Sequence, residues 1–178
     1  LTIPVEVKGK YFQKIKDTRI SEANWAQKHW KTIQMNYAKA PFMKEVGPII
    51  EKLYADATSE WITEVNQHFI RGIMDYLGID TEIRTSSEFQ LAEERNQRLL
   101  DICLALNVQG YISGPAARDY LDINLFQANG IQVDWMDYAD YPEYSQLHDG
   151  FEHSVAAIDL LLNEGPKAAT FLKSMNHE

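Results

Sequence analysis

The sequence predicts an α/β fold with a central, mainly parallel sheet flanked by helices, a Rossmann-like three-layer arrangement that includes a helical middle segment. From residue 79 onward, strand-like and helix-like segments alternate, as a right-handed parallel crossover requires. The length also fits, because 178 residues with 45% hydrophobic side chains can bury the core of one domain. We therefore expect residues 1–178 to form a single α/β domain.

The chain begins with a strand-like run and an amphipathic helix. Residues 1–9 are the strand-like run, which ends at a Lys-Gly turn. Residues 21–38 are predicted to be helical, with Ser21 as the N-cap and Ala40-Pro41 as the end. One face of this helix carries large side chains at four-residue steps: Trp25, His29, Ile33 and Tyr37.

A helical middle segment follows this first helix. Gly47-Pro48 is predicted to break the chain, and helices are expected over residues 49–57 and 60–77. The second of these has a continuous apolar side, and Gly78 suits its C′ position.

The remaining chain supplies the predicted sheet and the expected site. Strands are predicted at 82–85, 111–113 and 131–137, and helices at 89–106, from Pro115, and at 154–163 with an end at Gly165-Pro166. Ligands collect beyond the carboxyl ends of parallel strands, where helix N-termini present N–H groups. The expected site is therefore near Ser86, Ser87, Ser113, Gly114 and Tyr138.

Composition excludes several classes of protein. The formal net charge of −9 and the pI near 5.0 oppose a phosphate backbone, so nucleic acid is excluded as a principal partner. No apolar run approaches the ~20 residues that span a bilayer, and no signal peptide is visible. The single cysteine, Cys103, rules out an internal disulfide and fits a reducing compartment. We expect a cytoplasmic protein without a transmembrane segment.

Several motifs occur in order along the chain. They are WxxxH and YxKAP within residues 25–41, the Ser86-Ser87 pair, YISGPAARDYL at 111–121, GIxVxWxxY at 130–138 and FxxSxxxIDLLLNEG at 151–165. In this combination the sequence resembles the WbqC-like proteins over nearly its whole length. Members of that family usually begin with a segment that bears Gln-Pro-aromatic and Gly-Tyr-Phe motifs. Because this chain opens on Leu1 without either motif, we expect that an N-terminal segment is missing.

The resemblance implies a role in the biosynthesis of surface polysaccharide or O-antigen, with transfer of glycine or another acyl group to an amino sugar. The substrate would be a small sugar, nucleotide-linked or lipid-linked; neither a cofactor nor an oligomeric state is indicated. Two alternatives stay open. A nucleotidyltransferase-like enzyme would bind nucleotide with Mg²⁺, and a non-catalytic carbohydrate-binding or scaffold protein would bind sugar without turnover.

His29 is the candidate general base for such a transfer. Imidazole titrates near neutral pH, and His29 lies on an aromatic helix face where water is restricted. The alternative is a histidine that is packed in the core and hydrogen-bonded to a carbonyl group.

The Gly114-Pro115 turn is the candidate anion site. It follows a predicted strand and opens a predicted helix, so backbone N–H groups, Ser113 and Arg118 would bind a phosphate or carboxylate there. The alternative is an ordinary helix start with Pro115 at N1 and Gly114 or Ser113 as the cap.

Other strand-end residues are candidates for substrate binding. Ser87 with Gln90 fits a capping box, whereas Ser86 is a candidate to bind ligand through its hydroxyl. Asp137 is a candidate for sugar hydroxyls, and Tyr138 begins an aromatic loop suited to stacking on a sugar. A solvated carboxylate and an aromatic cover over a core edge are the alternatives.

The remaining polar residues are predicted to be structural. Asp159 and Asn163 share a helix face beside an apolar stripe, which favours a buried hydrogen-bond network. Cys103 is expected to be an inert core residue. No metal is predicted, because these histidines lack ligand spacing: His68, His148, His153 and His177.

Overall fold

Two bodies make up the chain. Of the described residues, 1–80 and 141–173 form the helical unit, and Thr81–Asp140 form the sheet unit. The structure is a computed structural model that describes residues 1–173. In chain order the main elements are α1 (Trp25–Tyr37), α2 (Met43–Asp56), α3 (Ile62–Leu77), α4 (Arg95–Ala105), β1 (Gly110–Ser113), α5 (Ile123–Ala128), β2 (Gln132–Trp135) and α6 (Ala157–Glu164). The expectation of one domain over residues 1–178 stays a prediction.

Helix α1 forms where the four-residue repeat predicts a helix. Its buried side chains are Trp25, His29, Trp30 and Ile33. The N-cap is Asn24 rather than the predicted Ser21, and Asn24 makes no capping hydrogen bond through its side chain. The N–H of Ser21 donates to the carbonyl of Pro4, which holds Ser21 against the N-terminal segment and outside the helix.

Helix α2 corrects the prediction that Gly47-Pro48 breaks the chain. The helix runs from Met43 through Pro48 to Asp56. A proline inside a helix removes one backbone hydrogen bond and crowds the preceding turn, yet its fixed φ suits a helix. The residue before Pro48 is glycine, which has no Cβ to clash with the proline ring. The packing of the helix therefore outweighs the local cost.

Helix α3 confirms the second helix of the middle segment and the position of its end. Gly78 adopts the left-handed conformation, with φ 69° and ψ 29°. The N–H of Ile79 donates to the carbonyl of Met74 at 2.9 Å. This is a Schellman-type end, which favours glycine because a Cβ would be strained there.

The core of the helical unit lies between α1, α2, α3 and α6. Its largest fully buried side chains are Val46, Ile50, Val65 and Leu162. Burial of each such side chain contributes about 1.5–3 kcal/mol relative to exposure. Helix α6 starts at Ala157 instead of the predicted Ser154, and Gly165 stops it as predicted. A Cβ at Gly165 would lie 2.3 Å from the ring of Phe42. A 3-10 helix, Gly165–Phe171, continues the chain.

The sheet unit contains a small parallel sheet instead of the predicted central sheet. Strands β1 and β2 run parallel, in register from Gly110 with Gln132 to Ser113 with Trp135. In the described residues the sheet consists of β1 and β2 alone. The fold is therefore a mixture of helices with a two-stranded sheet, and a full Rossmann-like sheet is not shown.

The predicted strand at 82–85 has no regular structure, because its last residue, Thr85, is hydrogen-bonded to the side chain of Glu88. The N–H of Thr85 donates to Oε1 of Glu88 at 2.7 Å, and the Thr85 hydroxyl donates to the same oxygen at 2.8 Å. An N–H that bonds to a nearby side chain is not available for a strand ladder.

Helix α4 begins later than the predicted residue 89, because Glu94 caps it. The Glu94 carboxylate accepts from the N–H groups of Asn96 and Gln97 at 3.0 and 2.7 Å. The helix therefore forms over Arg95–Ala105, and it buries Leu100 and Cys103.

Helix α5 is not among the predicted elements. Asp122 caps it by accepting from the N–H of Leu125 at 3.2 Å. Its six residues are too few to show a helical repeat, although the Asp122 cap and Gly130 after its end are recognisable signals. Phe126 is fully buried and stacks on Tyr111 with ring centres 5.3 Å apart.

The N-terminal run forms a single antiparallel bridge, between Val5 and Ile20, rather than a strand. The N–H of Glu6 donates to the carbonyl of Arg19 at 2.9 Å beside that bridge. Of the helices in residues 1–173, none has the length and apolar character to cross a membrane.

Candidate functional site

A cavity of about 1040 Å³ lies within the helical unit. Pockets for small organic molecules usually measure roughly 300–1,000 Å³, so the cavity can hold a ligand of that size. Side chains from α1, α3, the start of α6 and the loop over residues 146–152 line it. Its polar lining includes His29, Asn66, Gln146, His148, Glu152 and Asp159.

Aromatic rings form one wall of the cavity. The ring centre of Trp25 lies 6.0 Å from that of Tyr54 and 6.2 Å from that of Phe69. Tyr54 and Phe69 are 4.8 Å apart, and all three pairs meet edge to face, as ring quadrupoles favour. Trp25 is only 3% exposed, so packing fixes its position. Such a wall provides apolar contact for the carbon skeleton of a ligand.

His29 lies on the same wall, one turn of α1 after Trp25. It is 8% exposed, and its Nε2 lies 3.1 Å from the carbonyl oxygen of Thr2. Because a carbonyl oxygen can only accept a hydrogen bond, this contact places a proton on Nε2, and in the neutral imidazole the lone pair is then on Nδ1. His29 is therefore packed and bonded to a carbonyl, and it also lines the cavity. Its role as a base stays a prediction.

A buried carboxylate lines the cavity at the start of α6. Asp159 is 6% exposed, and its Oδ1 accepts from the Tyr37 hydroxyl at 2.8 Å. Its Oδ2 accepts from the Tyr144 hydroxyl at 2.7 Å and from Nε2 of Gln146 at 3.1 Å. The predicted network with Asn163 is confirmed, since Nδ2 of Asn163 donates to the backbone carbonyl of Asp159 at 2.9 Å.

The sequence interpretation missed that this network borders a cavity. A usable signal was the carboxylate of Asp159 within the apolar run IDLLL. A buried charge requires hydrogen-bond donors around it, so such a residue marks a place where polar groups converge.

Both tyrosines of the network remain protonated at neutral pH. Burial raises the pKa of Tyr144 to about 12, and its hydrogen bond to Asp159 adds to the rise. Burial also raises the pKa of Tyr37, again with a contribution from the hydrogen bond to Asp159. The two hydroxyls therefore act as donors that hold the carboxylate in place.

Gln146 ties the loop over residues 146–152 to this network. Its Nε2 donates to the carbonyl of Glu152 at 3.0 Å, and its Oε1 accepts from the N–H of Glu152 at 2.9 Å. The same side chain donates to Asp159. One amide group therefore connects the buried carboxylate to the loop that lines the cavity.

The sheet unit brings together four of the predicted strand-end residues. Ser113 pairs with Trp135 at the last position of the two strands. A Cβ at Gly114 would lie 3.6 Å from the Tyr138 hydroxyl, and Cζ of Arg118 lies 5.2 Å from the ring centre of Trp135. Ser113, Gly114, Arg118 and Tyr138 thus gather at one edge, as the parallel-strand rule predicts.

This edge offers an anion fewer N–H groups than the predicted helix start would. The segment from Pro115 is a short 3-10 helix, Pro115–Asp119. Pro115 has no N–H, and the N–H of Ala117 donates to the carbonyl of Gly114 at 3.0 Å. The Arg118 side chain is exposed, where water screens its charge.

Ser86 and Ser87 lie in a 3-10 turn, Ser86–Glu88, and both are exposed. The capping box of this turn is Thr85 with Glu88, which corrects the predicted pair of Ser87 with Gln90. The Ser87 hydroxyl lies 3.1 Å from the Thr85 hydroxyl. A contact of either serine with substrate stays a prediction.

The other sequence candidates have local roles. Asp137 accepts from the N–H of Ala139 at 2.9 Å at the exit of β2. Cys103 is buried in the core of the sheet unit, and burial raises the pKa of its thiol, which fits an unreactive core residue. Among the described residues, no group of three or more His, Cys, Asp or Glu is placed to hold a metal; His177 lies outside them.

Comparison with known proteins places the chain in a family. It matches the WbqC-like protein family over residues 1–171. It is 36% identical over 173 residues to the uncharacterized protein Rv1507c of Mycobacterium tuberculosis (strain ATCC 25618 / H37Rv), a match that covers 97% of this chain and 75% of that protein. No solved structure matches the chain. The chain belongs to the WbqC-like protein family.

Proposed function

We propose that the protein is a cytoplasmic transferase of surface polysaccharide or O-antigen biosynthesis that transfers glycine or another acyl group to an amino sugar. The association of the family name with O-antigen biosynthesis supports the pathway. The cavity of the helical unit carries the proposal, because it combines an aromatic wall with a histidine and a carboxylate in one space of about 1040 Å³.

The transfer step requires an amine, an activated acyl ester or thioester, and a base. The amine nitrogen attacks the acyl carbon, a nitrogen–carbon bond forms, and the bond from that carbon to the leaving oxygen or sulfur breaks. We assign the amine proton to Nδ1 of His29, the nitrogen that carries the lone pair when Nε2 is bonded to Thr2. The imidazolium then gives the proton to the leaving group, which returns His29 to its starting state.

The strand-end residues of the sheet unit are proposed as a second and weaker set of substrate contacts. In this proposal Arg118 attracts a phosphate or carboxylate, and the polar side chains bind sugar hydroxyls. Because these side chains are largely exposed, each contact contributes little. The proposed set is Ser86, Ser87, Ser113, Gly114, Arg118, Asp137 and Tyr138.

Replacement of His29 by Gln tests the proposed base. Glutamine keeps an N–H donor for the Thr2 carbonyl but cannot take a proton at neutral pH. General-base catalysis contributes roughly 10²–10⁴-fold, so we expect kcat to fall by at least about 100-fold while the melting temperature changes little. The assay combines amino sugars, free and nucleotide-linked, with glycyl and acyl thioesters and detects the amide product by mass spectrometry.

His68→Gln is the matched control. The Nε2 of His68 also lies close to a backbone carbonyl, at 2.8 Å from that of Leu53, but His68 is absent from the cavity lining. This variant should retain the activity of the parent protein. Equal activity of the two variants would contradict the assignment of His29. Sugar binding without turnover of any donor would instead support the non-catalytic alternative.

A further inference from the structure

We infer that the cavity binds a primary ammonium group of its ligand at Asp159. Only the identification of this ammonium group as the amine of the amino sugar rests on the proposed function. The recognition itself follows from the charge, the burial and the unused hydrogen-bonding capacity of Asp159.

The charge of Asp159 has no cationic partner in the described part of the chain. None of the ion pairs there includes Asp159. Its three donors, Tyr37, Tyr144 and Gln146, are neutral. A buried carboxylate is costly without a positive charge, and neutral donors with the first turn of α6 offset only part of that cost. A cationic group of the ligand would offset the rest of the free-energy cost of burying the Asp159 carboxylate.

The carboxylate also has an unused acceptor position. An ionised carboxylate has about four lone-pair directions, two on each oxygen. The Oδ2 atom of Asp159 accepts two hydrogen bonds, whereas Oδ1 accepts one, from Tyr37. One direction at Oδ1 is therefore left for an N–H of the ligand, and Asp159 lines the cavity in which that ligand would lie.

The rest of the cavity has the same charge preference. Asp149 and Glu152 line it with Asp159, and none of the described side chains that line it is Lys or Arg. A phosphate entering this space would meet carboxylates, whereas an ammonium group would be attracted. The amine end of the ligand therefore enters the cavity. Loss of one proton to water then exposes the nitrogen lone pair for attack, and the second proton passes to His29 as the nitrogen–carbon bond forms.

The first test uses the parent protein and pairs of methyl glycosides. Each pair has either an amine or a hydroxyl group at C2, C3 or C4 of the sugar, so that charge is the main difference. We expect at least one amine to bind roughly tenfold or more tightly than its hydroxyl counterpart at pH 7, as a hydrogen bond to a charged group implies. If no amine binds more tightly than its counterpart, the inference is wrong.

The second test uses Asp159→Asn, with Asp75→Asn as the matched control. Both changes remove one carboxylate from the helical unit, but Asp75 is exposed and absent from the cavity lining, whereas Asp159 is buried and lines the cavity. We expect Asp159→Asn to abolish the preference for the amine and Asp75→Asn to change it less than about threefold. Preserved preference in folded Asp159→Asn would overturn the inference. If that variant does not fold, the glycoside pairs on the parent protein still decide.

The two proposals can fail separately. Amine-selective binding that depends on Asp159, together with no turnover of any donor, would support the ammonium site and contradict the transferase. Turnover that His29→Gln abolishes, together with equal binding of amines and hydroxyl counterparts, would support the transferase and contradict the ammonium site.

Discussion

The cavity of the helical unit and the strand ends of the sheet unit are two different kinds of candidate site. In the cavity, His29 and Asp159 are almost fully buried, and hydrogen bonds fix both side chains. At the strand ends, Arg118 is exposed and the Tyr138 side chain is 61% exposed. Charges interact more strongly where water is excluded. We therefore expect recognition and chemistry in the cavity.

The difference shows that the parallel-strand rule finds where polar residues gather but not whether they are enclosed. That rule, by which ligands bind beyond the carboxyl ends of parallel strands, describes a crevice outside an open sheet of several strands. In this chain the described sheet has two strands of four residues each, so polar residues gather at its edge without being enclosed. In the helical unit, helices and the loop over residues 146–152 together form a cavity instead.

The largest difference in ligand binding between the two regions is expected when a large side chain is placed in each of them. Ala157 lines the cavity and Ala116 lies in the turn beyond β1, and both are exposed alanines. We expect Ala157→Trp to weaken binding of an amino sugar by roughly 100-fold or more, because the indole occupies ligand space, and Ala116→Trp to weaken it less than about threefold. Isothermal titration measures both. The reverse order would move the site to the strand ends.

Removal of one donor to Asp159 should have an intermediate effect, on stability. We expect Tyr144→Phe to lower the free energy of unfolding by about 1–3 kcal/mol at pH 7, because the buried carboxylate of Asp159 loses one of its three donors. Tyr138→Phe is the matched control at the strand ends and should cost less than about 0.5 kcal/mol. Urea denaturation of both variants measures the difference. Equal losses of unfolding free energy would contradict the idea that the buried hydroxyl of Tyr144 stabilises the fold more than the exposed hydroxyl of Tyr138 does.

The same tyrosine predicts a dependence on alkaline pH. The pKa of Tyr144 is raised in the folded protein, from 10.0 to about 12. Its contribution to stability is therefore fully present below pH 10 and is lost as the pH rises towards 12. We expect the parent protein to lose more stability across this window than Tyr144→Phe does. Urea denaturation at a series of pH values tests this, and parallel curves would contradict it.

The smallest effect is expected at Arg118. Its guanidinium lies over Trp135 in water, so Arg118→Ala should weaken binding of a nucleotide-linked sugar less than about threefold at 150 mM salt. The effect should grow at low salt and vanish for a sugar without phosphate. A loss of two orders of magnitude would place the main anion contact in the sheet unit.

Helices with a long apolar repeat were predictable from the sequence. The four-residue repeat from Trp25 fixes α1, and Gly78 fixes the end of α3. Pro48 is tolerated within α2, and the side chain of Glu88 keeps Thr85 out of a strand. The predicted break at Gly47-Pro48 and the predicted strand at 82–85 were both wrong for a related reason. Local sequence signals compete with packing and with side-chain hydrogen bonds, and the periodicity of the sequence does not report either of these.

The candidate site was predictable in part. The sequence singles out His29, but it ranks Asp159 as structural, because hydrogen bonds to Tyr37 and Tyr144 connect parts of the chain that are far apart in sequence. A cavity depends on how three separated segments pack, and no local pattern reports that. The strand-end residues are the converse case, since a local rule finds them and does not report their exposure.

The indole N–H signals of the four tryptophans distinguish ligand binding in the cavity from binding at the strand ends. Trp25 lines the cavity and Trp135 lies at the strand ends, so a ¹⁵N–¹H spectrum recorded during titration with an amino sugar reports on both regions at once. Trp→Phe variants assign the signals. We predict that the Trp25 signal shifts with the ligand while the Trp135 signal stays in place. A shift of the Trp135 signal while the Trp25 signal stays in place would instead show that the ligand binds at the strand ends.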